Sequence, residues 1–335
     1  MSKWYIGVGE QSDIVVSTRI RLARNIADYP FPNKLNTQSK TELNELIWKN
    51  IKESNEYNLD FVEMKTLARF EAASMAERHI ISPEFASDAD GRAMLISPDE
   101  DISIMLNEED HIRVQVMKSG FALEEAYEIA DKIDDKIGEK FEYAFDSRIG
   151  YLTQCPTNLG TGMRASVMLH LPALTRNGQI NRLINTVSKL GLTFRGAFGE
   201  GNNAVGDMYQ LSNQITLGIS EKSAIQNLKA ITLQLCAQER TAREEMEKLV
   251  ETDDAIYRAY GLLKWARLLN TRELMDNLSL VRLGSVTNKI NVPIETINEL
   301  MISMQPATIN VMAGKRLQKQ ERDFVRAKAV REKLV

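Results

Sequence analysis

The sequence predicts an α+β protein, in which a sheet carries helices packed on it and a helical C-terminal part follows. Three observations favour this class. Short segments before about residue 220 read as strands, and segments with helical periodicity lie between them. After about residue 220 helical periodicity dominates. The length of 335 residues is typical of two domains.

The elements of the first part follow from these periodicities. Amphipathic helices are predicted for two segments, residues 38–55 and residues 121–137. The extended segments are predicted at residues 102–106, 111–117, 151–155 and 164–171. Together they indicate one sheet with helices against it.

The second part is predicted to consist of helices at residues 223–250, 254–269, 271–279, 293–303 and 315–333. Pro293 fits the first helical position, where the N–H that proline lacks is not needed. The charged stretch at residues 238–248 is expected to be an exposed helix face or a connector. We place the domain boundary near residues 225–250.

Composition excludes several function classes. The chain has 42 Lys and Arg against 46 Asp and Glu, a net charge of −4, which disfavours a globally basic nucleic-acid binder. Its only cysteines are Cys155 and Cys236, so a disulfide framework or a cysteine zinc site is not expected. No signal peptide and no apolar run of 18 residues is found. We therefore expect a cytoplasmic protein with no membrane and no direct nucleic-acid partner.

Common nucleotide-binding motifs do not explain the sequence. It contains no P-loop and no set of protein-kinase motifs. GxGxxA occurs twice, at residues 160–165 and 199–204, but neither copy lies between a clear strand and a clear helix. Dinucleotide binding is not predicted.

Arginines stand in four short segments of unusual context. These are VVSTRIRLARN at 15–25, NEEDHIRV at 107–114, CPTNLGTGMRASV at 155–167 and FRGAFGEGNNAVGDMYQLSN at 194–213. If the first segment is extended, Arg19 and Arg21 lie on the same side, because side chains alternate along a strand. A single arginine of this kind is most often a surface or structural residue. The neighbouring glycines, however, indicate backbone packed closely against something.

CPTNLGTG resembles the signature of the phosphagen (guanidino) kinases, and four further blocks resemble that family in the same order, STRIRLARN, NEEDHIRV, RASVMLHLP and RGAFGE. The resemblance covers roughly residues 12–220. It implies a catalytic domain over residues 1–225, with a large antiparallel sheet flanked by helices, and an all-α domain over residues 240–335. It also implies the family's reaction, the transfer of the γ-phosphoryl group of ATP to a guanidinium nitrogen.

The same resemblance implies a nucleotide site. A triphosphate needs several cations around it, and arginines offer planar, bidentate donors. The matching arginines are Arg19, Arg21, Arg113, Arg164 and Arg195. The blocks around them extend the implied site to Ser17, Thr18, Ile20, Ala165, Ser166, Val167, Met168, Gly196, Ala197, Phe198 and Gly199, with His79 as a candidate for binding adenine. The implied cofactors are ATP and Mg²⁺, and since no carboxylate cage is recognised, Mg²⁺ is expected to be bound mainly through the nucleotide.

Three residues match the family's catalytic groups. Glu109 and Glu200 match its two glutamates, which would orient the guanidinium and accept its proton. Cys155 matches the reactive cysteine and is expected as a thiolate beside the nitrogen that is not phosphorylated. The structural alternatives are a surface acid in a charged run for Glu109 and a small buried apolar residue for Cys155. Glu108 and Asp110 are not expected to take part in the chemistry.

Two departures from the small-guanidine kinases bear on the acceptor, and the second of them predicts a different one. Creatine and arginine kinases have an Asp where this chain has Gln210, so the role of that Asp cannot be carried over. They also carry a small helical domain before STRIR, whereas this sequence begins almost directly at that block. We expect an acceptor side open enough to admit an arginine that projects from a polypeptide.

The C-terminal segment strengthens this expectation. Residues 315–335 hold eight basic and three acidic residues, a net charge of 8 − 3 = +5. Their RDFVRA sequence resembles the phosphoarginine-binding motif of the protein-arginine kinases, a branch of the same family. The matching residues are Arg322, Asp323, Arg326 and Ala327.

Resemblance to that branch implies a kinase that acts on exposed arginines of proteins. It further implies a homodimer, an activator protein and a stress-response role in which phosphoarginine marks proteins for a Clp-type protease. Two alternatives stay open. One is a metabolic kinase of free arginine or another small guanidine, and the other is a regulator that binds phosphoarginine without catalysing its formation.

Overall fold

A computed structural model describes residues 3–53, 56–198 and 204–334 of the chain. Its centre is an eight-stranded sheet in the order β2-β3-β4-β5-β1-β8-β10-β9, in which every neighbouring pair is antiparallel. The strands are β1 Val15–Arg24, β2 Asp60–Glu63, β3 Ala93–Ile96, β4 Ile102–Leu106, β5 Ile112–Ser119, β8 Met163–His170, β9 Leu192–Gly196 and β10 Met208–Asn213. A separate hairpin pairs β6 Phe145–Asp146 with β7 Gly150–Tyr151. The predicted fold class, a large antiparallel sheet flanked by helices with a helical C-terminal part, is confirmed.

The helices divide between the two parts of the chain. The first part contains α1 Thr37–Lys52, α2 Arg69–Glu77, α3 Pro83–Ser87, α4 Leu123–Gly138, α5 Pro172–Arg176 and α6 Ile180–Ser188. The second contains α7 Glu221–Met246, α8 Val250–Trp265, α9 Thr271–Val286, α10 Ile294–Ser303, α11 Pro306–Met312 and α12 Lys319–Lys333. Among the described residues, no helix is long and apolar enough to cross a membrane.

The alternation of β1 decides which sheet face becomes the core. Ile20 and Leu22 point to the face that α4 covers, and both are buried there with Ala126 and Ala130 of that helix. Arg19 and Arg21 therefore point to the opposite face, since successive side chains of a strand alternate. At its centre the sheet is mainly apolar on the face that α4 covers and carries Arg19 and Arg21 on the other.

Most predicted elements of the first part are confirmed, including β4 at residues 102–106. The extended segment predicted at residues 151–155 is wrong beyond its first residue, because β7 ends at Tyr151. A 3-10 turn at Pro156–Asn158 follows Cys155. Proline has no N–H to donate to a strand ladder, so the chain turns at this point.

The second part differs from its prediction in several places. Helix α9 runs to Val286 rather than ending at residue 279, and α11 was not predicted. Pro293 is the N-cap of α10 rather than its first residue. Helix α7 is continuous through the predicted interval between the domains, residues 225–240.

The expectation of an exposed face at residues 238–248 is wrong for two charged residues of α7. Glu239 and Arg243 are buried and form an ion pair of 3.0 Å. The Glu239 carboxylate also accepts hydrogen bonds from the N–H groups of Ala173 and Leu174, both at 3.0 Å. An acid is stabilised at the N-terminus of a helix, so Glu239 caps α5.

All three histidines are held neutral by burial. Burial lowers the pKa of His79 to about 3, and it also lowers the pKa values of His111 and His170. His170 joins the two parts of the chain, because its Nδ1 lies 3.0 Å from Arg282 of α9 and its Nε2 lies 2.8 Å from Ser279.

These shifts predict a loss of stability in acid. Each histidine has a folded-state pKa below the unfolded value of about 6.5, so the unfolded chain binds more protons below that pH. The free energy of unfolding should fall as the pH drops from about 6.5, by up to ~1.4 kcal/mol per pH unit for each histidine. Denaturant titrations of the wild type and of His170→Gln at pH 7.5 to 5 would measure this. An equal dependence on pH in both proteins would contradict the prediction for His170.

Candidate functional site

Arginines from four strands of the sheet converge at one cavity. The cavity has a volume of about 400 Å³ and is lined by Arg21, Ala23, Glu84, Glu109, Arg113, Cys155, Thr157, Asn158, Gly162, Arg164 and Arg195. We call it the arginine cavity. Arg19 precedes Arg21 by one step on the same face of β1. The structure thus brings together the five arginines, Glu109 and Cys155 that the sequence singled out.

Strand register explains this convergence. Arg21 on β1 stands directly opposite Arg164 on β8, and Arg113 on β5 stands opposite Ala23. Like charges directly opposite each other in a sheet are destabilising. A fold that keeps this arrangement across its central strands therefore indicates a site for an anion.

The electrostatics of the cavity also indicate a site for an anion. Burial, and after it the charges of Arg164 and Arg113, lowers the pKa of Arg19 to about 10. Burial and neighbouring arginines hold the pKa of Arg21 well below its usual value. The buried Nε atoms of Arg21 and Arg164 have no hydrogen-bond partner among the described residues. These unmet donors and concentrated positive charge are what a polyphosphate would satisfy.

Arg113 differs from the other arginines because it is paired with acids. Its guanidinium forms an ion pair with buried Glu108 and another, of 3.1 Å, with Glu109. Glu108 also accepts a hydrogen bond from Ser82. The side chain of Glu109 is 49% exposed and faces the cavity. Glu108 thus holds Arg113 in place, while Glu109 remains accessible to a ligand.

The segment that carries Cys155 is fixed from two sides. The Sγ atom of Cys155 lies 3.0 Å from the hydroxyl of Thr157, whose carbonyl accepts a hydrogen bond from Thr216. Before the cysteine, Oδ1 of Asp110 accepts hydrogen bonds from Asn25 at 2.6 Å and from the N–H of Gln154 at 2.8 Å. Asp110 therefore ties the Cys155 segment to the segment that carries Glu109.

This role of Asp110 predicts a coupled loss of stability and activity. Asp110→Ala leaves two buried donors without an acceptor, which should lower the free energy of unfolding by about 2–3 kcal/mol. Turnover should fall as well, because Cys155 and Glu109 lose their common anchor. Denaturant unfolding and steady-state kinetics measure the two effects. A variant that keeps wild-type stability would contradict this account of Asp110.

The segments implied to bind nucleotide contribute alternate side chains to the site face. Ser166 and Met168 pair with Arg19 and Ser17 across the β1–β8 ladder and share their face. The other side chains point into the core on the opposite face, namely Thr18, Ile20, Ala165 and Val167. Thr18 donates a hydrogen bond to the carbonyl of Gly120, so its side chain has a structural role. For these four residues, only the backbone atoms are available to contact a nucleotide.

His79 and Phe198 lie together beside the arginines. Their ring centroids are 5.1 Å apart in an edge-on arrangement, and the charge of Arg19 contributes to the lowered pKa of His79. His79 has a φ of 59° and a buried Nε2 without a partner among the described residues. Gly196 ends β9, and Ala197 connects it to Phe198. Two predicted site residues, Gly199 and Glu200, lie outside the described residues.

The implied phosphoarginine segment lies on α12, and none of its residues lines the arginine cavity. Arg326 is buried and donates to the carbonyls of Leu269 at 2.7 Å and Met304 at 2.9 Å. It also pairs with Asp323 at 2.7 Å. Arg322 is partly buried and donates to the carbonyl of Leu317 at 2.7 Å. The next residue after Arg326, Ala327, is buried in the core.

Two features of the cavity were missed from the sequence. Glu84 reaches it from the short helix α3, and only the Ser-Pro-Glu start of that helix could have signalled it. Gly162 has a φ of +60°, and a Cβ atom there would lie 2.6 Å from the carbonyl oxygen of Ala23. This glycine lets the backbone form the cavity wall. Within the described ranges, no cluster of three or more His, Cys, Asp or Glu residues could hold a metal ion.

Comparisons with known proteins agree with this geometry. Residues 42–242 match the family of the ATP:guanido phosphotransferase C-terminal catalytic domain, and residues 250–335 match that of the protein-arginine kinase McsB C-terminal domain. The chain is 45% identical to the protein-arginine kinase of Caldanaerobacter subterraneus subsp. tengcongensis, over 95% of this chain and 96% of that one. It is 46% identical to the protein-arginine kinase of Clostridium kluyveri, over 96% and 94%.

Solved structures of guanidino kinases share the fold. A duplicated taurocyamine kinase from Schistosoma mansoni, solved with transition-state analogue components, matches with a TM-score of 0.61 and 28% identity over 68% of this chain and 33% of that one. A lombricine kinase matches with a TM-score of 0.59 and 26% identity over 70% and 68%. From its sequence, its sheet and these matches, the chain belongs to the ATP:guanido phosphotransferase family.

Proposed function

We propose that this protein transfers the γ-phosphoryl group of ATP to arginine side chains of proteins. The observation that carries the proposal is the arginine cavity, where buried guanidinium donors without partners lie beside Glu109 and Cys155. The proposal is supported by two protein-arginine kinases that are 45% identical to this chain. Each match extends over nearly the full length of both proteins.

Arg19, Arg21, Arg164 and Arg195 would bind the triphosphate, with Arg113 held at its edge by Glu108. Charge-assisted hydrogen bonds of this kind contribute roughly 1.5–3 kcal/mol each. His79 and Phe198 would lie at the adenine end. The phosphates themselves would supply most ligands of Mg²⁺, which would neutralise part of their charge. Phosphoryl transfer depends on positioning and electrostatics, which a rigid sheet of arginines supplies.

The acceptor guanidinium would enter at the open side of the cavity. Glu109 would hold it in plane and accept its proton as the bond from nitrogen to the γ-phosphorus forms and the bond from that phosphorus to the ADP oxygen breaks. Cys155 would contact the nitrogen that is not phosphorylated. Glu200 is proposed as the second carboxylate from its sequence match alone.

The product distinguishes a protein substrate from a small one. The purified chain should be incubated with MgATP and an arginine-rich protein, and in parallel with free arginine, and kept away from acid because a P–N bond is labile there. Mass spectrometry should find phosphoarginine on the protein. If free arginine is phosphorylated as efficiently, the alternative of a metabolic guanidine kinase is correct.

The helical C-terminal part is proposed to bind phosphoarginine and to contribute to a homodimer. Arg322 and Asp323 are the accessible members of the motif, whereas Arg326 is engaged with backbone carbonyls. An activator protein, a Clp-type protease and a role in stress response belong to the same proposal.

Arg322→Ala tests the phosphoarginine site without removing the buried Arg326. We expect the Kd for a phosphoarginine peptide to rise at least about tenfold, because one charge-assisted bond to the phosphate is lost. The fold should be retained, since Arg322 gives up a single backbone contact. Calorimetry with phosphorylated and unphosphorylated peptide measures this. Unchanged affinity would exclude Arg322 from the site.

A further inference from the structure

Arg19 is held by neutral groups, unlike Arg113. Its Nη2 donates to Oε1 of Gln210 at 2.9 Å, and its Nε lies 3.4 Å from the hydroxyl of Ser166. Arg113 has two carboxylates as partners. Among the described residues no acid pairs with Arg19, so its charge is not cancelled locally.

Gln210 occupies a position between two arginines of the site. It lies on β10, where it stands opposite Arg195 of β9 and opposite Met168 of β8. A carboxylate at this position would contact Arg19 and stand next to Arg195. It would remove about one positive charge from the wall of the arginine cavity.

We propose that Gln210 is a positioning residue of the nucleotide site: its amide fixes the Arg19 guanidinium and leaves the whole of its charge to the phosphates. The proposal rests on the proposed function, because it takes the arginine cavity as the site for ATP. A carbonyl oxygen of an amide orients an arginine through a hydrogen bond, as a carboxylate does, but adds no net charge. The charge difference between the two groups should therefore appear in nucleotide affinity.

The test is calorimetry of MgATP binding without any acceptor, for four proteins. Gln210→Glu keeps the shape of the side chain and adds a negative charge. Gln210→Met removes the oxygen that accepts the hydrogen bond from Arg19 and adds no charge. Gln214→Glu is the matched control, since it adds the same charge to an exposed residue just beyond β10. Each Kd is measured at several salt concentrations.

We expect Gln210→Glu to raise the Kd by about tenfold or more at low salt, and the ratio to the wild type to shrink as salt screens the added charge. Gln210→Met should raise the Kd less, with a ratio that does not depend on salt. Gln214→Glu should bind as the wild type does.

Two results would overturn the proposal while the nucleotide site stands. One is wild-type affinity in Gln210→Glu, and the other is an equal, salt-independent loss in the Glu and Met variants, which would mean that Gln210 only fills space. If the wild type itself does not bind MgATP, the proposed function fails, and the role of Gln210 fails with it.

Discussion

Replacing Glu109 by glutamine is expected to lower the turnover number about a thousandfold, while MgATP still binds with a Kd within about threefold of the wild-type value. Glutamine keeps the shape of the side chain but cannot accept the proton that leaves the guanidinium. Its effect on binding should be small because Arg113 retains its buried partner Glu108. Steady-state kinetics with a protein substrate and calorimetry with MgATP separate the two quantities.

The neighbouring acid provides the control for this variant. Glu108 is buried against Arg113, so Glu108→Gln should lower the free energy of unfolding by about 3 kcal/mol. Glu109 is half exposed, and Glu109→Gln should leave the free energy of unfolding nearly unchanged. Turnover of Glu109→Gln within tenfold of the wild type would mean that the proton leaves by another route.

Replacing Arg21 by methionine is expected to stabilise the protein and to inactivate it. Arg21 stands opposite Arg164, and its buried Nε lacks a partner among the described residues. Removing it relieves repulsion between like charges and the cost of a buried, unpaired donor. The free energy of unfolding should rise by about 1 kcal/mol, and kcat/KM should fall at least about a hundredfold because the triphosphate loses a bidentate contact.

Arg24 lies on the same strand as Arg21 and is the control, because its charge is paired with that of an acid. It is buried in an ion pair of 2.7 Å with Asp134 and lies 3.5 Å from the centre of the Tyr151 ring. Arg24→Met should lower the free energy of unfolding by about 3–5 kcal/mol, because the carboxylate of Asp134 stays buried without its partner. Denaturant unfolding compares the variants. If Arg21→Met is destabilised like Arg24→Met, then Arg21 is a structural residue and the trade-off between stability and activity proposed here is wrong.

The fold could be predicted from the sequence where local pattern and tertiary packing agree. β4 alternates only imperfectly but is a short apolar run, and its predicted bounds of residues 102–106 are those observed. The helices α1 and α4 carry clear apolar stripes. At residues 151–155 pattern and packing disagree, since the segment looks extended but β7 ends at Tyr151 and a 3-10 turn begins at Pro156.

The parts of the site that could not be predicted depend on contacts between distant residues. Alternation along β1 places Arg24 on the face opposite Arg21, but nothing local shows that Asp134 of α4 pairs with it there. Glu108 and Asp110 stand in a charged run, yet both are buried, because Glu108 pairs with Arg113 and Asp110 accepts a hydrogen bond from Asn25. Glu239 also stands in a charged stretch and was predicted to be exposed. It is buried because two N–H groups of α5 donate hydrogen bonds to it.

The most direct measurement is a crystal structure of the chain with MgADP, nitrate and an arginine-containing peptide, since planar nitrate imitates the phosphoryl group in transfer. We predict that Arg19, Arg21 and Arg164 contact the ADP phosphates and the nitrate, with the peptide guanidinium between nitrate and the side chains of Glu109 and Cys155. A nucleotide bound elsewhere, or a guanidinium that does not reach Glu109, would contradict the central claim.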